Sequence, residues 1–531
     1  MRRTSLVAVV CILGGPGPIA ACSIECTPPS NTSCVCAPNT GPCDITTNQP
    51  MVPGAVITCT GQDVRLTGAA GNITVANGVV TVRARDLIVD PEHKIQATAA
   101  NAAAFGIALE LSGKLDLGGF ILANSPFGGG VIGVSAAGDI LVKPGGTGIV
   151  AKGTASEAGG GDIDLRAEGN VEIDDPVIAD GSAAGITTGG AIAIRGANIT
   201  IRDNLSASGH NDDAGDIVLD ATPGTLDVQS PIKAEGGGID GNGGLIEITA
   251  GTAALGALLS AQGGVGASGG QSNGGSVSVT AWTGGVSINA DIDVTGGASG
   301  AGRDGGAIVV ESLGPVTVAN GVTLRTKSDA NGGDGGDILL SAGGALTVGD
   351  ATLDARGDWG PGDEGSGARI ALDGCAVSVA AGATLDSRGF EGGVVHLSGR
   401  ETLTVSANSV VDVSGVGGPA GKTTLFYRVP GRCSGDPSLA CEPGACTGTC
   451  SNNSARPCSV NSDCTVGCSA GECQNKHCTT PPNGACATDG DCTGCGASGP
   501  CPPNPDTGGT TAQFLPAPPT MTLNRNIPPC G

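Results

Sequence analysis

From about residue 80 onward, short aliphatic runs alternate with corners of small and polar residues, and one three-part phrase keeps returning. Gly335-Gly-Asp-Ile-Leu-Leu-Ser-Ala342, Ala345-Leu-Thr-Val348 and Leu353-Asp-Ala-Arg-Gly357 make one copy. Ile163-Asp-Leu-Arg-Ala167, Val171-Glu-Ile173 and Val177-Ile-Ala-Asp-Gly181 make another, and Val395-His-Leu-Ser-Gly399, Leu403-Thr-Val405 and Val411-Asp-Val-Ser-Gly415 a third. Twelve copies can be counted from their opening aliphatic residues: Val80, Ile107, Ile132, Ile163, Ile192, Ile217, Ile246, Val277, Ile308, Ile338, Ile370 and Val395. They lie 25 to 32 residues apart, about 29 on average. The residue two places on is aliphatic in all twelve, and the residue four places on is Ala, Gly or Ser in all but one, where Leu111 stands.

Aliphatic residues at i and i+2 project from one face of an extended strand, and the small residue marks where the chain turns. One copy cannot bury its apolar face alone, but stacked copies can. The spacing therefore predicts an all-β fold: a three-sided parallel β-helix, right-handed by the crossover rule, of about twelve coils and ~60 Å length at ~4.8 Å per coil. An antiparallel meander competes, because Asn77-Gly78 and Asn320-Gly321 are hairpin-type turns. The connector between the second and third runs varies freely, however (Gly349-Asp-Ala-Thr352 against Asp174-Asp-Pro176), which register-setting hairpin turns would not tolerate. The chain divides into an export signal (1–21), a Cys-containing N-terminal segment or cap (22–60), the β-helix (61–430), a Cys-rich region (431–502) and a Pro-containing tail (503–531).

Composition narrows this picture. Gly makes up 95 of 531 residues without a period of three, which excludes collagen. Six Phe, two Trp and one Tyr exclude an aromatic-packed core and suit a narrow one of Val, Ile, Leu and Ala. A net charge of −24 repels phosphate backbones, so nucleic acid is not an expected partner. Arg2 and Arg3 precede an apolar run from Leu6 to Leu13, too short to span a bilayer and typical of a secretory signal. Ile19-Ala-Ala-Cys22 resembles the bacterial lipobox, with Cys22 as the lipidated residue, although Gly14-Gly-Pro-Gly-Pro18 separates it from the apolar run. The other reading is ordinary cleavage nearby, with Cys22 in a disulfide. The expected location is secreted or cell-surface, with membrane contact only through such a lipid.

Cysteines bunch at both ends of the exported chain, which points to disulfides. Cys458, Cys464, Cys468 and Cys473 are echoed by Cys486, Cys492, Cys495 and Cys501, with a looser version in Cys433, Cys441, Cys446 and Cys450, and with Cys478 and Cys530 besides. So little apolar material surrounds them that cross-links must supply the order. A zinc site from Cys464, Cys468, Cys492, Cys495 and His477 is the less favoured reading in an oxidising compartment. Counting six cysteines from Cys22 to Cys59 and these fourteen leaves Cys375 free. The Cys-rich region reads either as a cap on the open coil edge or as a stalk or docking module.

Phrases such as Gly344-Ala-Leu-Thr-Val-Gly-Asp-Ala-Thr-Leu-Asp-Ala-Arg-Gly357 resemble the β-helical repeats of filamentous-haemagglutinin-like bacterial surface proteins. The resemblance covers about residues 61 to 430. It implies a parallel β-helix and an adhesive role. The Asn-Pro-Asn-Gly-type signature of that family's secretion domain is missing and no membrane barrel follows, so its export route is not implied.

Three constellations have residues suited to chemistry. Asp174-Asp175 and Gly209-His210 resemble elements of polygalacturonase-like enzymes, but the accompanying Asn-Thr-Asp and Arg-Ile-Lys are absent; Trp282 and Trp359 are the candidate sugar platforms. Calcium is the one cofactor with candidates: Asp334 and Asp337 in a Gly-Gly-Asp-Gly-Gly-Asp turn, Asp212, Asp213 and Asp216 in another, and Asp358, Asp363 and Glu364. Finally, Asp354, Asp386 and Asp412 fall at one place in successive third runs, with Arg356 and Arg388 beside them and Arg325 and Lys327 one coil earlier. This is expected as a solvent-facing charge ladder or, more sharply, a docking strip for an extracellular polymer or surface protein. The sequence thus describes a surface or extracellular solenoid with a structural or adhesive role; the alternative is a carbohydrate-active β-helix enzyme, a polysaccharide lyase or hydrolase.

Overall fold

The computed structural model describes residues 42–427, apart from 102–103, 239–240, 265–271, 298–302, 330–331 and 360–363, together with the backbone of short strands outside that span. It is a parallel β-solenoid of about 13 turns, with no helix among the described residues. Each coil contributes three strands, as in Ile163–Ala167, Val171–Ile173 and Val177–Ile178. First and second strands join into one 27-stranded sheet and third strands form a 15-stranded one. The first two strands share a sheet because several, such as Leu245–Leu255 and Val394–Val405, run through the corner unbroken.

The opening aliphatic residues stack in the register that the repeat predicts. Val80 pairs with Ile107 and Ile107 with Ile132, and the column continues through Ile163, Ile192, Ile217 and Ile246 and then Val277, Ile308, Ile338, Ile370 and Val395. None of these side chains is more than 1% exposed. They belong to one continuous core running from Cys43 to Leu425. Asn77-Gly78 and Asn320-Gly321 do not form hairpins. Asn77 and Gly321 have φ of 57° and 76°, and Asn77 and Asn320 each accept, through Oδ1, an N–H of the following coil, at Ala100 and Asp350. They are corners of the coil.

The structure also departs from the expected boundaries. Parallel stacking begins ahead of residue 61: Val56–Cys59 pairs with Val79–Ala84, and Cys43–Ile45 with Val64–Leu66. The column position opposite Val80 is held there by Ala55, too small to read as an opening aliphatic residue. At the other end, Gln513–Leu515 in the tail pairs with Val410–Asp412, and Thr520–Leu523 with Lys422–Tyr427, both parallel. Beyond the Cys-rich region the chain thus rejoins the same two sheets. The strand pairs within that region are antiparallel, as between Gly448–Cys450 and Asn453–Cys458. Cys375 is disulfide-bonded, as is Cys59, which corrects the count that left it free. The other disulfide cysteines proposed for the C-terminal region, the zinc alternative and residues 1–21 fall outside the described side chains.

Candidate functional site

The third strands carry the charged residues singled out in the sequence. Ile292, Leu324, Leu353, Leu385 and Val411 point into the core. Alternation turns their neighbours Asp293, Arg325, Asp354, Asp386 and Asp412 outward, and the coils stack them in that order. Each Asp first caps its own turn: Oδ1 of Asp293, Asp354, Asp386 and Asp412 accepts the backbone N–H two residues on, at 3.0, 3.4, 3.3 and 3.0 Å. An Arg two residues on then folds back. Arg356 donates through Nε and Nη2 to the two oxygens of Asp354 at 2.7 and 2.8 Å, and Arg388 to those of Asp386 at 2.9 and 2.7 Å. Each also reaches the next coil's carboxylate, at 3.5 Å to Asp386 and 3.4 Å to Asp412.

The expectation of a solvent-facing ladder is therefore corrected for the acids. Asp354 and Asp386 are only 6% and 7% exposed, because the guanidinium planes lie over them. These bidentate bonds and the neighbouring negative charge hold the Arg356 and Arg388 guanidiniums above their ordinary pKa. One coil earlier the pattern loosens. Arg325 reaches Asp291 and Asp293 only at 3.4 Å, each through Nη1, and Lys327 pairs with Asp329. Asp293, Arg325, Lys327 and Asp329, with Gln262 and Thr295, line a polar cleft of about 240 Å³.

Asp386 is the shared member of the ladder, so Asp386→Ala leaves two guanidiniums short of a carboxylate. The expected loss is about 2 kcal/mol of stability, in the range for hydrogen bonds to charged groups. Asp164→Ala, which breaks the exposed Arg166 pair, should have no measurable effect. Chemical denaturation of the two variants compares them directly, and equal midpoints would mean that the ladder is solvated after all.

A second feature has no apolar signal and was missed in the sequence. Two glycines stand three and two places ahead of most opening aliphatic residues, as in Gly243-Gly244, Gly274-Gly275, Gly305-Gly306 and Gly335-Gly336. They pack coil on coil at the corner between third and first strands, where a methyl on Gly336 would overlap the carbonyl oxygen of Gly306, and one on Gly306 that of Gly275. The result is an open groove of about 700 Å³ running across several coils, floored by backbone and edged by Asp213, Asp216, Asn242 and Asp337. The same spacing ahead of eight of the twelve copies was the available clue.

Three of the calcium candidates, Asp213, Asp216 and Asp337, edge this groove, and their oxygens, like those of Asp334, are engaged between coils. Oδ1 of Asp213 accepts the Asn242 N–H (2.8 Å), Asn242 that of Asn273 (2.9 Å), Asn273 that of Asp304 (3.0 Å), Asp304 that of Asp334 (2.9 Å) and Asp334 that of Ser366 (2.7 Å). Asp216 and Asp337 accept likewise from Leu245 and Arg369, at 3.1 and 3.0 Å. Asp212 accepts from Asp213 at 2.9 Å. Asp213, Asp216, Asp304, Asp334 and Asp337 thus serve as rungs that tie one coil's turn to the next, whereas Asp212 bonds within its own turn. Among the described residues, no three His, Cys, Asp or Glu side chains are grouped as a metal would need; Asp363 lies outside them.

The structure does not bring the polygalacturonase-like elements together. Asp174 is held by Arg202 at 2.9 Å, and Asp175 is buried and accepts the Gly146 N–H at 2.7 Å, both in the corner before a third strand. His210 follows the next coil's third strand, at the opposite end of that face, where its backbone bridges to Thr187. Trp282 lies at the corner after a first strand, half exposed beside exposed Leu313, and Trp359 at the corner after a third strand, so they form no common platform. Burial, aided by Asp203 and Asp174, raises the Asp175 pKa against the pull of the Gly146 and Gly145 N–H groups. A carboxyl whose folded pKa lies above its unfolded one favours folding most when protonated, so its contribution falls as pH rises through that window. Asp175→Asn should therefore flatten this part of the stability profile from about pH 3 to 6, as seen by thermal melts across pH; an unchanged profile would contradict the burial argument.

No family model matches the chain, and neither a curated protein nor a solved structure matches it.

Proposed function

We propose that the chain is an exported rod of the cell surface or extracellular space, with a structural and adhesive role, which binds an extended extracellular polymer or surface protein along its glycine-floored corner. The observation that carries this reading is the groove itself. It repeats a similar backbone environment over the coils it crosses, ~4.8 Å apart, which suits a long ligand lying along the axis rather than a small molecule enclosed on all sides. The clustering of cysteines at both ends, the bonded Cys59 and Cys375, the signal-like start and the filamentous-haemagglutinin-like phrasing of the repeats support export and surface placement. The acidic surface favours neutral or basic polymers over polyanions.

The enzyme alternative requires two carboxylates, or a base near an Arg, open to substrate on one face. The stacked Asp354 and Asp386 come nearest, yet both oxygens of each are held by guanidinium and the side chains are covered. The test is to incubate the purified chain with a panel of neutral, acidic and basic polysaccharides, with and without a calcium chelator, following both retention and product formation. Retention without new chain ends, unaffected by chelator, is the expected result. Newly formed reducing or unsaturated ends would replace this reading with a lyase or hydrolase.

A further inference from the structure

Arg325 interrupts the charge ladder, and the interruption leaves a pair of donors unused. Asp293, Arg325, Asp354, Asp386 and Asp412 share one outward column. Two residues on, Thr295, Lys327, Arg356 and Arg388 make a second, joined from coil to coil by the bonds of the Gly296, Ser328 and Gly357 N–H groups to the Lys327, Arg356 and Arg388 carbonyls. Where an Asp holds the first column and an Arg the second, the guanidinium folds back and grips both carboxylate oxygens through Nε and Nη2. In the coil of Arg325 cations hold both places, so this closure is impossible. Lys327 turns instead to Asp329. Arg325 uses Nη1 alone, at 3.4 Å to Asp291 and to Asp293, and its Nε and Nη2 have no hydrogen-bond partner among the described residues.

Arg325 lines the 240 Å³ polar cleft, which shares no lining residue with the glycine-floored groove. A volume below the ~300–1,000 Å³ of drug-sized sites suits a single ring rather than a length of polymer. The Nε and Nη2 fork matches the two coplanar oxygens of a carboxylate, as Asp354 and Asp386 show one and two coils on. Arg325 and Lys327 balance Asp293 and Asp329 across the cleft, with Asp291 close by. One further negative charge is therefore accepted more readily than the two of a phosphate. The Gln262 amide both donates and accepts, and the Asp329 carboxylate accepts, which suits ligand hydroxyls. No aliphatic or aromatic side chain lines the cleft, so an apolar peptide end finds nothing to pack on.

We propose that this cleft is a binding site for a single sugar acid, a hexuronate unit at an end or branch of a largely neutral polysaccharide, with its carboxylate on the Arg325 fork and its hydroxyls on Gln262 and Asp329. It is a second site, and it stands independently of the groove. A polyanion is still repelled by the net charge of −24, whereas an isolated uronate brings only one charge.

Calorimetric titration of methyl glucuronoside into the full-length protein tests this, with methyl glucoside, acetate and inorganic phosphate in parallel. The expected result is saturable binding of the glucuronoside, at least tenfold tighter than that of the other three. Arg325→Gln should remove the difference, and Arg325→Lys should weaken glucuronoside binding about as much, because a point charge does not reproduce the fork. Arg166→Gln, which removes an exposed pair on a first strand, should leave it unchanged. Absence of saturation at millimolar glucuronoside, equal or tighter binding of glucoside, acetate or phosphate, or an Arg325→Gln variant that binds glucuronoside as the wild type does would each overturn the proposal. Should the Arg325 variants fail to fold, Gln262→Ala decides. Severalfold weaker glucuronoside binding is expected, and unchanged binding would overturn the assignment.

Discussion

Gly336→Ala is expected to destabilise the rod by about 3 kcal/mol or more, at the upper end of what an overpacked site costs. The new methyl has no flexible side chain to displace. It meets the carbonyl oxygen of Gly306 one coil below, so relief requires the coils to separate locally. Separation in turn strains the bonds on either side of the corner, including the Gly335 N–H to Ser366 and Gly336 N–H to Thr326 hydrogen bonds. Gly133→Ala is the matched control: nothing lies within 4 Å of its added methyl, so it should be neutral or gain about 0.5 kcal/mol from a less flexible unfolded chain. Thermal melts of the pair measure the difference. Equal stability would mean that the glycine columns are incidental.

The second large effect belongs to the aliphatic ladder. Ile217 is fully buried between Ile192 and Ile246 in mid-rod. Ile217→Ala removes three carbons where neighbours are held by sheet hydrogen bonds and cannot collapse, so a loss of about 2–5 kcal/mol is expected. Position matters as much as size. Coils touch only their neighbours, and stability is close to a sum of coil and interface terms. A weak central interface should therefore divide one unfolding transition into two, visible in a denaturant titration followed by hydrogen exchange at each end. A single transition that merely shifts would argue for coupling beyond nearest neighbours.

These two sites also mark what could and could not be read from the residues. The column from Val80 to Val395 was legible because aliphatic burial is a strong signal that repeats, and its twelve positions are twelve consecutive rungs. The coil before it was not, because Ala55 fills the same place without announcing itself. The glycine pairs recur ahead of eight of the twelve copies, yet a residue that works by lacking a side chain looks like loop material when pattern is sought in apolar side chains. For the charges, register followed from the repeat and put Asp354, Asp386 and Asp412 in one line. Their burial did not, since it depends on Arg356 and Arg388 folding back across a turn. The tail strands were hidden by the long Cys-rich interruption, which separates Gln513–Leu515 from the coil it joins.

Because every strand lies across the axis, the bonds between successive coils point along it. A pull applied to the two ends loads all those interfaces in series, each bearing the full tension, and the least stable one gives way first. Once it opens, its coil of about 29 residues pays out ~100 Å of slack chain and the load returns to the remainder. Such a molecule lengthens in discrete increments under drag and absorbs work at each one, as a tether exposed to flow would need to do.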